Sequence, residues 1–135
     1  MIREMKIEDC DAVHDLWRKS KILIEPEDDR EALARFLKRE SSRALVADEG
    51  DVVVGALLCG SDGRYGYIHH LAVHPAHRRR AVGRALVDRA VAFLREKERA
   101  KHVVIMVRAS NEGALEFWAR CGFATHSELT VLACS

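Results

Sequence analysis

The fold is decided by residues 65–87, which read Tyr-Gly-Tyr-Ile-His-His-Leu-Ala-Val-His-Pro-Ala-His-Arg-Arg-Arg-Ala-Val-Gly-Arg-Ala-Leu-Val. The part before Pro75 favours a β-strand, and a helical pattern begins near Arg79. The turn between them is basic and contains Ala81 and Gly83, and a glycine lets a backbone approach a ligand closely. The free amides and the positive dipole end of a helix start attract anions. This stretch therefore predicts a strand, a phosphate-sized anion site and a helix.

The distribution of charge supports an anion site at this turn. Residues 63–87 contain five Arg and four His but no Asp or Glu, although the chain has 21 acidic residues. The segment 25–51 is rich in acids by comparison. Because the formal net charge is only +1, bulk electrostatics do not indicate a nucleic-acid partner. The pattern indicates a local anionic ligand.

Composition narrows the class of protein. A chain of 135 residues, 48% hydrophobic and 32% charged, is typical of one globular domain. No apolar run approaches the roughly 20 residues of a membrane helix, and the first residues lack a secretion-signal core. The four cysteines have no metal-ligand spacing, so we interpret them as thiols and expect no metal site. We expect a cytoplasmic protein.

Hydrophobic periodicity and turn residues predict the order of elements. The predicted elements are a strand at 2–6, helices at 8–19 and 26–40, strands at 43–47, 52–59 and 64–73, a helix at 79–98, a strand at 102–107, a helix at 111–122, and two short strands within 123–134. The apolar strand at 102–107 follows a helix, which implies a parallel neighbour. The predicted fold class is α+β, with a mixed, mostly antiparallel sheet in the order β-α-α-β-β-β-α-β-α-β-β.

Two motifs resemble a known family. The first is Leu71-Ala72-Val73-His74-Pro75 followed by Arg78-x-x-Ala81-x-Gly83-x-Ala85. The second is Asn111-x-x-Ala114-Leu115-x-Phe117-Trp118-x-x-x-Gly122-Phe123. Together, and at this separation, they resemble the GCN5-related N-acetyltransferase (GNAT) superfamily. The resemblance covers essentially the whole chain, residues 1–135, as a single GNAT-like domain.

The resemblance implies that acetyl-CoA is the cosubstrate. The backbone of residues 71–73 would hydrogen-bond the pantetheine arm, and the amides that follow would hold the diphosphate. The cofactor-binding residues that it implies are Leu71, Ala72, Val73, Arg78, Arg79, Arg80, Ala81, Val82, Gly83, Arg84, Asn111, Ala114 and Trp118.

The sequence departs from the family pattern at two positions. Ala81 stands where the motif has its first glycine, which we expect to be tolerated if its φ is negative. Trp118 stands where many relatives have the tyrosine that acts as a general acid, and an indole N–H is not a usable acid. We therefore assign no protein acid.

The implied reaction is direct attack of an amine on the thioester in a ternary complex. Backbone N–H groups of residues 71–73 would polarise the carbonyl, and an ammonium substrate must first lose a proton. Strand alternation predicts Tyr67 and His69 on one face and Ile68 and His70 on the other. His69 is the first candidate for the base, because some relatives resemble this chain in having a histidine there, and Glu25 is the second.

Other functions remain open from the sequence. A catalytically weak acyl-CoA-binding or regulatory module would also explain Trp118 and the missing acid. A nucleic-acid patch at the arginines is disfavoured by the small net charge. The expected partner is a small-molecule or peptide amine, with no nucleic acid and no membrane, and a homodimer stays open.

Overall fold

The computed structural model describes residues 1–78 and 81–134. Contacts between residues divide the chain into two compact units, Met1–Ile105 and Met106–Ser135. The first unit contains a five-stranded sheet, and the second contains one α-helix followed by an extended tail.

The sheet of the first unit is mixed and mostly antiparallel, as predicted. Its strands are β1 (Ile2–Glu4), β2 (Ser42–Glu49), β3 (Val52–Ser61), β4 (Tyr65–Val73) and β5 (His102–Ile105). They lie in the order β1-β2-β3-β4-β5, antiparallel from β1 to β4, and β5 pairs in parallel with β4. The sequence prediction of a parallel neighbour for the 102–107 run is confirmed, although the strand ends at Ile105.

Helices cover both faces of this sheet. The α-helices of the described residues are α1 (Cys10–Lys19), α2 (Arg30–Leu37), α3 (Val82–Ala92) and, in the second unit, α4 (Glu112–Arg120). The apolar stripe of α1 is buried, and Trp17 and Val13 have no exposed surface. These side chains pack with Leu33 of α2 and with Ala56 and Leu58 of β3. One core therefore lies between α1, α2 and one sheet face.

On the opposite face, two glycines make room for α3 and its extension. A Cβ added at Gly55 would lie 3.0 Å from Leu86 Cδ1, and one added at Gly66 would lie 3.0 Å from Leu94 Cδ1. Both distances are shorter than ordinary carbon contacts. The helix continues past Ala92 as one π-helical turn, Phe93–Lys97. It covers most of the range predicted for this helix.

The second unit corrects part of the predicted order. Helix α4 begins as expected, because Asn111 Oδ1 accepts a hydrogen bond from Ala114 N at 3.1 Å, and the chain leaves it through Gly122 at φ 94°. The two strands predicted within 123–134 are wrong: the described tail, up to Cys134, forms no strand. β-Favouring side chains do not make a strand unless the backbone finds a ladder partner, and Leu132 remains 90% exposed.

No helix among the residues that the structure describes is long and apolar enough to cross a membrane.

Candidate active site

A β-bulge interrupts β4 at His70 and Leu71. Antiparallel pairing joins Ala56 to Ala72 and Leu58 to His69, so β4 has one more residue than β3 between these pairs. His70 has φ 53°, the left-handed conformation that a bulge requires of one residue and that few side chains adopt. The bulge resets which residues of β4 face α1 and α2.

This reset corrects the predicted alternation. Residues that pair directly across two antiparallel strands share a face, so His69 lies with Leu58 on the face covered by α1 and α2. His70 lies on the same face, because its ring is 5.0 Å from the ring of Trp17. The prediction that placed His70 opposite His69 is therefore wrong, since an extra residue breaks the twofold period of a strand.

One edge of β4 is open beyond its midpoint. Pairing with β5 covers only Tyr65–Ile68, matched to His102–Ile105. From His69 to Val73 the described residues of the first unit offer no strand partner on the β5 side, whereas Ala72 and Val73 still pair with β3. Unpaired strand edges present N–H and C=O groups that an extended molecule can bind. The residues predicted to hold the pantetheine arm, Leu71–Val73, belong to this open edge.

The basic turn leads from this edge into α3. A 3₁₀ turn at Pro75–His77 is capped by His74, whose Nδ1 accepts from Ala76 N at 3.2 Å. A helical bond joins Ala85 N to Ala81 O at 3.0 Å, and the N–H groups of a first helical turn, here residues 82–84, are the ones that helices commonly offer to an anion. Gly83 is buried in this turn.

Two arginines of the turn have partners within the chain. Arg78 Nε donates to Val73 O at 3.1 Å. Arg84 Nε lies 3.1 Å from Asp88 Oδ1, one helical turn later. Arg79 and Arg80, which were also predicted to bind the cofactor, lie outside the described residues. The described arginines of this segment are thus held by contacts within the chain, beside the start of α3.

The condition under which an alanine is easily tolerated at position 81, a negative φ, is not met. Ala81 is the N-cap of α3 and has φ 59°, a conformation that glycine adopts without a steric cost. An L-residue in this region costs about 1–2 kcal/mol because Cβ approaches the following carbonyl oxygen. The helix start therefore keeps its geometry at an energetic cost.

His69 lies in a partly enclosed position on the α1 and α2 face. Its ring stacks on Tyr67 with centroids 6.3 Å apart, and both residues line a shallow cavity of about 180 Å³ beside Phe36. Burial lowers the pKa of His69, and the charge of the neighbouring His70 lowers it further. The imidazole is therefore neutral at pH 7, which is the form that can accept a proton.

Glu25, the second base candidate, is exposed, and the carboxylate of Asp28 is buried in its neighbourhood. Glu25 N donates to Asp28 Oδ2 at 3.1 Å, which closes the turn ahead of α2. His70 Nε2 lies 3.0 Å from both oxygens of the Asp28 carboxylate. The structure thus brings together an Asp–His pair that the sequence analysis did not identify.

In the second unit, the predicted cofactor residues have clear local roles. Asn111 caps α4 through the amide of Ala114. Trp118 is only 8% exposed and makes edge-to-face contacts with Phe117 and Phe123, at centroid distances of 5.2 and 5.0 Å. This indole belongs to an aromatic cluster within its own unit, consistent with the absence of an acid at this position.

Comparisons with known proteins identify the family of this chain. The model of the acetyltransferase (GNAT) family matches residues 10–123, and the chain therefore belongs to that family. An acetyltransferase from Sodalis glossinidius (strain morsitans) is 28% identical over 131 residues, which cover 97% of this chain and 92% of the relative.

Solved structures show the same fold. An aminoglycoside 6'-N-acetyltransferase from Acinetobacter haemolyticus superposes with a TM-score of 0.81 at 15% identity, covering 100% of this chain and 98% of the other. AAC(6')-Iy, in complex with the bisubstrate analogue CoA-S-monomethyl-acetylneamine, superposes with a TM-score of 0.80 at 17% identity, covering 100% and 97%. The α+β fold class and the GNAT resemblance are confirmed.

Proposed function

We propose that this protein is an acetyl-CoA-dependent N-acetyltransferase that acetylates a primary amine by direct attack in a ternary complex. The observation that carries the proposal is the open edge of β4 at 69–73, after which the chain runs through a basic turn into the start of α3. Coenzyme A has an extended pantetheine arm that ends in a diphosphate, so its length and charge suit a strand edge followed by a basic turn. Membership of the acetyltransferase family supports the same cosubstrate.

The residues of this path fit coenzyme A. Leu71–Val73 would bind the pantetheine arm through backbone groups, and the amides of residues 82–84 would bind the diphosphate. No carboxylate occurs between residues 63 and 87, so no acidic residue of the turn would repel the phosphates. Acetyl-CoA supplies the activated acetyl group, and its thiolate leaves readily because an alkyl thiol has a pKa of about 8.5.

His69 is the proposed acceptor of the first proton from the substrate ammonium, and Glu25 is the second candidate. The lowered pKa of His69 keeps the imidazole neutral at pH 7. A neutral histidine in a cavity between α2 and β4 can take a proton from an amine bound there. Trp118 contributes no proton in this mechanism, since its indole cannot act as an acid.

The acceptor is proposed to be a small-molecule amine. Relatives with the same fold include an aminoglycoside 6'-N-acetyltransferase and a protein bound to an acetylneamine bisubstrate analogue. A panel of an aminoglycoside, an amino sugar, a polyamine, an arylalkylamine and a lysine peptide, each with acetyl-CoA, tests the proposal. Release of free thiol together with a mass increase of one acetyl group in an amine supports it. Cofactor binding without acetylation of any amine would instead favour the acyl-CoA-binding module.

A pair of charge reversals on α3 tests the position of the diphosphate. Arg84→Glu places a negative charge in the first turn of the helix, and we expect acetyl-CoA affinity to fall roughly tenfold through repulsion. Arg95→Glu makes the same change 11 residues later, about 16 Å along the helix axis and beyond the Debye length. It should leave the affinity unchanged. Equal effects of both substitutions would contradict binding at the start of α3.

A further inference from the structure

The Asp28 carboxylate is buried and has two donors. Asp28 is 4% exposed, and its carboxylate accepts hydrogen bonds from Glu25 N and from the ring of His70. Its backbone oxygen lies 2.6 Å from His14 Nε2 on α1. The turn at Pro26–Asp28 is thus fixed between α1 and the bulge of β4. Burying a carboxylate is costly unless it is paired, and a local turn alone does not require that cost.

We propose that Asp28 fixes the tautomer of His70 so that Nδ1 is a basic nitrogen, and that His70 takes the second proton that the amine loses as its bond to the acetyl carbon forms. This inference rests on the proposed N-acetyltransferase function. Asp28 is then a positioning residue that acts through His70.

The hydrogen-bond geometry determines the tautomer. Both Asp28 oxygens lie 3.0 Å from the same nitrogen, Nε2. A carboxylate only accepts, so Nε2 must carry the hydrogen, and the lone pair of the neutral ring lies on Nδ1. Among the residues that the structure describes, Nδ1 has no hydrogen-bond partner, and the His70 side chain is 30% exposed. The basic nitrogen is therefore accessible to a substrate.

Packing holds the backbone and the ring of His70 in place. The Trp17 indole donates from Nε1 to His70 O at 3.1 Å, and the two rings meet edge to face at 68°. His70 has a positive φ of 53°, a conformation that persists in a non-glycine residue only where the surroundings enforce it. Residue 70 also directly precedes Leu71–Val73, the segment proposed to bind the pantetheine arm. An imidazole fixed at this point is adjacent to the expected thioester.

The two histidines account for the protons of the reaction. The substrate ammonium gives one proton to His69, which returns it to solvent before the amine nitrogen attacks the thioester carbonyl. As the C–N bond forms and the C–S bond breaks, the same nitrogen gives its second proton to His70 Nδ1, and coenzyme A leaves as a thiolate. That proton then neutralises the thiolate. One amide, one thiol and one net proton are formed.

The charges around His70 make the two proton transfers sequential. Of the described residues, Asp28 from the turn lies 3.0 Å from its ring, His69 is its neighbour on β4, and His14 of α1 contacts the backbone oxygen of Asp28. The pKa of His69 is lowered first by burial and then by the charge of His70, so the two rings disfavour simultaneous protonation.

The test compares single and double variants of the full chain with an amine that the acceptor panel identifies. His70→Gln keeps an N–H donor for Asp28 but removes the basic nitrogen, and we expect kcat to fall about 100-fold. Asp28→Asn should lower kcat about tenfold, because the ring of His70 loses the carboxylate that orients it. In both variants the affinity for acetyl-CoA should stay unchanged. Asp15→Asn, on an exposed carboxylate of α1 that pairs with Arg18, is the matched control.

The double variant separates positioning from a structural role. If Asp28 acts through His70, Asp28→Asn adds no further loss of kcat in the His70→Gln background. Independent losses that multiply, or a kcat of His70→Gln equal to that of the wild type, would overturn the proposal. Thermal melts of each variant identify any loss of activity that comes from unfolding.

The tautomer can be measured without turnover. Long-range ¹H–¹⁵N correlation spectra of protein labelled at its seven histidines, with the His70 signals assigned by their absence in His70→Gln, should show Nε2–H and an unprotonated Nδ1. An Nδ1–H tautomer would refute the inference even if the enzyme is active. If the wild type binds coenzyme A but acetylates no amine of the panel, the proposed function fails and the His70 proton transfer fails with it. The spectra still decide whether Asp28 fixes the ring.

Discussion

Replacing Ala81 by glycine should stabilise the protein. Ala81 is the N-cap of α3 at φ 59°, where an L-residue loses about 1–2 kcal/mol relative to glycine. Glycine has greater freedom in the unfolded chain, which offsets about 0.4–1 kcal/mol of this gain. Glycine is also the better N-cap of the two by several tenths of a kcal/mol. We expect the free energy of unfolding to rise by about 1 kcal/mol, equivalent to roughly 3 °C in Tm.

Urea unfolding with a fixed m-value measures this change, and the chain provides a matched control. Ala85 is exposed and lies one turn later in the same helix, so Ala85→Gly removes a methyl group from a residue within the helix and should cost about 1 kcal/mol. The same substitution at two neighbouring positions is thus expected to have opposite signs. A loss of stability in Ala81→Gly similar to that in Ala85→Gly would refute the left-handed conformation of Ala81 as its cause.

Two further predictions concern packing and pH. Gly66→Ala places a Cβ 3.0 Å from Leu94 Cδ1, and urea unfolding should show a free energy of unfolding that is lower by about 1–3 kcal/mol. In the control Gly113→Ala the new Cβ has its nearest contact at 3.9 Å, so the free energy of unfolding should stay unchanged or rise. Similar losses of stability in both variants would contradict the packing argument. The hydrogen bonds of Arg3 lower the pKa of the Asp9 carboxyl in the folded protein. This pair therefore stabilises the fold fully above the unfolded-state pKa of about 3.9. The stabilisation is lost as the pH falls through the lower pKa of Asp9 in the folded state. Asp9→Asn should therefore reduce the loss of stability in acid-titrated melts, and an unchanged acid dependence would exclude this pair as a contributor.

The sequence predicts those parts of the fold that depend on local pattern. Helical spacing from Cys10 to Trp17 predicted α1, and the turn residues at 48–51 predicted the hairpin of β2 and β3. The parallel pairing of β5 was predicted because an apolar strand follows a helix in the sequence. The tail from Phe123 was misjudged because β-propensity is local, whereas a strand needs a partner elsewhere in the chain.

The features of the site that the sequence did not reveal all depend on tertiary contacts. Nothing in His69-His70 marks a bulge, because a positive φ at a residue other than glycine leaves no compositional signal. Asp28 is one of four acids within residues 25–29, and only packing against α1 and β4 determines which of them is buried. The positive φ of Ala81 was missed for a similar reason, because an alanine in the sequence gives no sign of a backbone conformation that usually needs glycine.

Calorimetric titration of acetyl-CoA into the wild-type chain tests the central claim most directly. Saturable binding of one molecule per chain, with a matching rise in Tm, is the expected result if the open edge of β4 and the start of α3 bind the cofactor as proposed. Neither heat nor a thermal shift at millimolar acetyl-CoA would contradict the cofactor site and the acetyltransferase activity built on it.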